Sequence, residues 1–187
     1  MFQEELARAD AYGLISQLFT TPPDDAFLRL YRPLPADPDV QFTLQEPERP
    51  GYEGALRRFQ AACAAHNAQT ISTEFEHLFG RLRETVSAPA APGELAALRD
   101  HLQACGLASQ KAALAVESYV SGVCDVQRWL IEHDRPKTVQ QMFFNEFVDG
   151  GISTVCDAIG AAPEASFYSA VADLARAFIA DERTRLR

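Results

Sequence analysis

The chain has 187 residues, 47% of them apolar and 23% charged, enough for one or at most two domains with a real core. Its 26 acidic residues outnumber 17 basic ones, for a formal charge of −9. That balance argues against nucleic acid and anionic membrane as main partners, because both require a cationic face.

The first predicted helix covers 3–19, where Leu6, Leu14, Ile15, Leu18 and Phe19 follow helical spacing. Thr21-Pro22-Pro23 stops it, and Asp24 is placed to cap a short helix through about Tyr31. Seven of the 11 prolines lie between Pro22 and Pro50, so 33–51 reads as a loop. Helices follow over 52–66 and 70–82, the second with Ser72 or Thr73 as cap, and then a second loop near 84–93. Glu94–Cys105 is helical and ends at Gly106. The stretch 111–133 is long and strongly periodic. Pro136 opens a helix through Phe147, Gly150-Gly151 breaks it, and a short helix runs to Ile159. Pro163 opens the last, where Phe167, Val171, Leu174 and Phe178 share a face. No strand pattern of useful length occurs. The expectation is an all-α, single-domain bundle of about eight or nine helices over 1–187.

The start of the chain carries acids where a signal peptide has a basic segment, and no apolar run approaches the ~20 residues of a membrane span. A cytoplasmic protein without membrane insertion is expected. Cys63, Cys105, Cys124 and Cys156 never form C-x-x-C and read as buried reduced thiols.

Motifs for chemistry are sparse. Phosphate-binding glycine loops and a G-x-S-x-G elbow are absent. Glu74 and His77 share a helix face as in di-iron bundles, but the second such motif is missing, and a solvated face is the better reading. His101 and Cys105 are also helix neighbours, yet two ligands make no site. His66 and His133 sit at helix ends, where a structural role is favoured. Asp125 and Asp157 read as solvent-facing flanks of apolar helices. Phe75 and Phe79 stand out because they precede a proline-bearing loop, the setting of many peptide grooves.

Several segments carry a resemblance. They are Arg8-Ala-Asp-Ala-Tyr12-Gly-Leu14 through Pro22-Pro23-Asp24, Glu74-Phe75-Glu76-His77-Leu78-Phe79-Gly80, the stretches Leu98 to Gly106-Leu107 and Glu117 to Ile131, Phe143-Phe144-x-x-Phe147, and Ala165-Ser166-Phe167-Tyr168 through Phe178-Ile179-Ala180-x-Glu182. In order and spacing, over nearly the whole length, the chain resembles the TorD/DmsD/NarJ-type cytoplasmic chaperones that mature molybdenum redox enzymes. Such a resemblance implies a TorD/DmsD-like helical fold, no enzymatic activity and no cofactor. The implied partner is a molybdoenzyme catalytic subunit or its twin-arginine leader peptide, and the protein would be a monomer or a homodimer. It also implies a peptide-binding region at Glu74, Phe75, Leu78, Phe79, Arg83, Glu117, Ser118 and Tyr119. At Glu117-Ser118-Tyr119 the family carries an Asp-His pair that this chain lacks, and Arg81-Leu82-Arg83 stands where the family has a proline-rich aromatic run. Both departures mark a divergent branch. The physics agrees with such a partner: guanidinium pairs best with carboxylates, and Glu74, Glu76, Glu84 and Glu117 lie near the aligned region. The rival expectation is a helical bundle that binds a metal, through Glu74 and His77, or a small ligand, with enzymatic activity.

Overall fold

The computed structural model describes residues 3–32, 51–86 and 119–187, with backbone alone for 81–86 and Tyr119. Every regular element among them is a helix. In chain order they are α1 (Gln3–Thr20), α2 (Asp25–Tyr31), α3 (Tyr52–Ala65), α4 (Ala68–Val86), α5 (Tyr119–Glu132), α6 (Lys137–Phe143), α7 (Asp149–Gly160) and α8 (Phe167–Arg185). A π-helical turn, Phe144–Val148, joins α6 to α7 without a break, so the described residues form seven separate rods. The helices expected over 94–105 and 111–118 lie outside the described residues.

Local chemistry sets the ends. Asp24 caps α2, its carboxylate accepting from the Phe27 N–H at 2.8 Å. For α4 the cap is Asn67, which accepts from the Thr70 N–H at 3.0 Å, and not Ser72 or Thr73, which lie inside the helix. We expect Asp24→Ala and Asn67→Ala each to lower the unfolding free energy by about 1 kcal/mol, measured by urea titration. α4 also runs past the expected stop at Leu82, so 84–86 are helical rather than loop. α5 ends in a Schellman-type turn: the Arg135 N–H donates to the Leu130 carbonyl at 2.9 Å, with Asp134 at φ 49°.

Two expected boundaries are corrected. Gly150-Gly151 does not break the helix but lies in the first turn of α7. The chain absorbs the irregularity just upstream instead, through the π turn, which buries Phe144, Phe147 and Val148 beside the fully buried Phe143. Pro163 does not open the last helix either. It sits in a turn, and α8 begins four residues later at Phe167.

α1 lies along α5, and the Arg128 side chain of α5 passes over Gly13, where a Cβ would stand 2.7 Å from its guanidinium. α3 and α7 both pack on α8. One contiguous apolar cluster joins all of these helices, centred on Tyr12, Phe59, Phe143, Phe144, Phe167 and Tyr168. Leu6, counted above in the stripe of α1, is instead half exposed. Cys63, Cys124 and Cys156 are free and buried, as expected, while Cys105 lies outside the described residues. No helix among the described residues is long and apolar enough to cross a membrane.

Candidate functional site

The α4–α8 contact gathers the sequence-predicted residues that the structure describes. Helical spacing puts Phe75 and Phe79 on the same flank of α4, and their rings meet at 4.5 Å. Both are half-buried. Beneath them lies Tyr168 of α8, with ring centroids 5.7 Å from Phe75 and 5.3 Å from Phe79. Phe19 of α1 meets Phe79 edge-on at 5.9 Å. Leu78, one turn from Phe75 on the inner face, is fully buried and belongs to the core. The result is an aromatic ledge with its base in the core and its upper edge in solvent, a shape suited to an apolar side chain.

Glu74 begins this ledge, and its carboxylate is already engaged. Oε1 accepts from the Ser166 and Tyr168 N–H groups at 2.8 Å each, and Oε2 from the Phe167 N–H at 3.1 Å. Those are the unpaired donors at the start of α8, where the helix dipole favours an anion. Glu74 thus caps a helix more than ninety residues away in sequence, rather than lying on a solvated face. His66 completes the corner. Its Nε2 is 2.9 Å from the Ser166 hydroxyl, its Nδ1 is 2.9 Å from the Ala62 carbonyl, and its ring stands edge-on to Phe167. The Tyr168 hydroxyl donates to the Leu18 carbonyl at 3.3 Å, and burial, aided by the Glu74 charge, pushes its pKa far up.

Glu76 and His77 are exposed. The Glu74 carboxylate is turned to the backbone N–H groups of α8, and among the described residues no three His, Cys, Asp or Glu side chains are grouped to hold a metal ion. Arg83 is on the last turns of α4 and Tyr119 begins α5, with backbone alone described for each. Glu117, Ser118, His101 and Cys105 lie outside the described residues, and the Glu84 side chain is likewise not described.

A second polar constellation, missed at the level of sequence, occupies the far end of α8, about 22 Å along the helix from Phe167. Arg8 and Glu182 are 3% and 1% exposed, yet form a bidentate pair with Nε–Oε1 2.8 Å and Nη2–Oε2 2.7 Å. Tyr12 donates its hydroxyl to Glu182 at 3.1 Å, and Arg8 also reaches Glu5 and the Gln140 side-chain oxygen. Burial alone would lower the Arg8 pKa, but the Glu182 and Glu5 carboxylates together outweigh it and the net shift is upward. Gln127 donates to the Gln140 carbonyl at 3.3 Å, while its own side-chain oxygen, fully buried, has no partner among the described residues. The signal was present in Arg8, Tyr12 and Glu182, all of which lie in the segments that carry the resemblance, but their pairing spans 174 residues and leaves no local spacing to read.

Asp125 is a further correction. It is half-buried and accepts from the Ser16 hydroxyl at 2.7 Å, tying α5 to α1. Asp157 is exposed, as expected, and pairs with Arg176. His133 stacks on Trp129 at the end of α5, a structural placement like that of His66.

Comparison of the chain with family models, with curated proteins and with solved structures gave no match.

Proposed function

We propose that the protein is a chaperone of the TorD/DmsD/NarJ type. It binds the twin-arginine leader, or the apo catalytic subunit, of a molybdenum-containing oxidoreductase in the cytoplasm and keeps it from export until the cofactor is loaded. In this reading the protein is a binding module, not an enzyme, and needs no cofactor of its own.

One observation carries the reading: three of the separate segments on which the resemblance rests touch one another. Arg8 and Tyr12 of the first segment hold Glu182 of the last. Glu74, Phe75 and Phe79 of the second segment meet Phe167 and Tyr168 at the start of that same helix. These contacts bring residues of three of those segments to the two ends of one helix. The half-buried Phe75–Phe79 ledge supplies apolar surface of the kind that a leader's hydrophobic stretch requires.

The test is titration of a fluorescent twin-arginine leader peptide against the full chain, with a twin-lysine leader as control. Phe75→Ala combined with Phe79→Ala should weaken the leader at least about tenfold, the scale of a binding hot spot. Because both rings are half-buried, part of the change will also appear as lost stability. If affinity and stability fall together in strict proportion, the two rings are core alone. If no twin-arginine leader or apo-subunit binds, the reading fails.

A further inference from the structure

The resemblance would use Glu74 to receive a leader's arginine. Its geometry points elsewhere. A bidentate guanidinium needs both oxygens of a carboxylate open along one edge. At Glu74 both oxygens are taken, Oε1 by two N–H groups and Oε2 by a third. The surroundings also oppose a cation, because the start of α8 carries the positive end of the helix dipole. What the carboxylate does hold is α4 itself. One turn further along α4, Leu78 is sunk in the core, and between them Phe75 rests on Tyr168.

We propose that Glu74 is a positioning residue: through the three backbone N–H groups that open α8, it docks α4 and sets the Phe75–Phe79 ledge, and it is not the partner of a guanidinium. The inference rests on the chaperone reading only for what the ledge binds. The latch itself stands on the hydrogen bonds. A leader's arginines would then be met by other carboxylates, and Glu76, two positions further along α4, is open to solvent.

Three variants of the full chain decide it. Glu74→Ala removes all three acceptor contacts. Glu74→Gln removes the charge but keeps an oxygen for the Ser166 and Tyr168 N–H groups. Val155→Ala, a buried truncation on α7, controls for lost stability. In Glu74→Ala, amide exchange of Ser166, Phe167 and Tyr168 should speed up roughly fivefold or more, the scale of a lost helix cap, and the ring-proton shifts of Phe75 and Phe79 should move. Leader affinity should fall about tenfold in Glu74→Ala, stay within about threefold of wild type in Glu74→Gln with its salt dependence unchanged, and be unaffected in Val155→Ala.

Equal losses in Glu74→Ala and Glu74→Gln, with a flattened salt dependence, would make Glu74 a guanidinium partner and overturn the proposal. Unchanged exchange at Ser166–Tyr168 and unmoved ring shifts in Glu74→Ala would overturn it as well. Should no leader bind the wild type, the chaperone reading falls, and exchange with ring shifts still decides the latch.

Discussion

Glu182→Ala should cost about 3–5 kcal/mol of unfolding free energy, a large share of the total for a domain of this size. The reason is what it leaves behind. Arg8 is 3% exposed, and without Glu182 its guanidinium keeps only Glu5 and the Gln140 oxygen. Tyr12 loses its acceptor as well. Arg8→Met should be damaging for the mirror reason, since Glu182 is 1% exposed and would retain only the Tyr12 hydroxyl and the partly exposed Arg185. The double variant Arg8→Met/Glu182→Leu should recover much of the loss, because a buried ion pair is dispensable once both charges are gone. Urea unfolding of the wild type, Arg8→Met, Glu182→Leu and the double variant closes the cycle and gives the coupling directly. A loss near 1 kcal/mol for Glu182→Ala would mean that water reaches the pair and that it behaves as a surface bridge.

Alkaline pH should unfold the protein sooner than its acidic composition suggests. Burial pushes the Cys63 thiol up to about 11 and the Cys156 thiol to about 12, from 9.0, and raises Cys124 further still. Tyr12 and Tyr168 are raised above the usual phenol value by burial as well. In every case the folded protein keeps a proton that the unfolded chain releases. The stability these groups contribute is complete below pH 9 and is lost as pH rises towards the folded values. Above pH 9 each thiol adds a downward slope approaching about 1.4 kcal/mol per pH unit, and the tyrosines join above about pH 10. Urea midpoints should therefore drop steeply between pH 9 and 11. Mass-mapped alkylation at pH 8 should find Cys63, Cys124 and Cys156 unreactive until the chain unfolds. A flat stability over pH 8–11 would show that these side chains ionise without unfolding.

Helices with strong local signals were legible from residue order alone. Asp24 caps as its position predicts, and the spacing of Tyr52, Phe59 and Cys63 marks α3. What escaped was non-local or depended on backbone compensation. Gly150-Gly151 looks like a break because glycine weakens a helix, but buried Phe147, Val148 and Ile152 hold both sides of it to the core. Asp125 reads as a solvated flank until Ser16 of α1 is placed against it. At the candidate site, the Phe75–Phe79 pair follows from spacing within one helix. The capping role of Glu74 does not, because its partners are backbone N–H groups of α8, and a backbone donor has no residue type to recognise. The same holds for Arg8 and Glu182, whose types are ordinary and whose meaning lies in being paired inside the core.

That pairing has a consequence for how the chain comes to be folded. Arg8 and Glu182 are 174 residues apart, Tyr12 and Glu182 170, and Tyr168 and Leu18 150. A ribosome adding roughly 5–20 residues per second would make Arg8 about 9–35 seconds before Glu182 exists. Within that interval α5 is made and α1 can lie along it, but the Arg8 guanidinium still lacks its carboxylate. A nascent chain stopped short of α8 therefore carries Arg8 and Tyr12 without the carboxylate that joins them, and that corner of the core closes only when α8 is added.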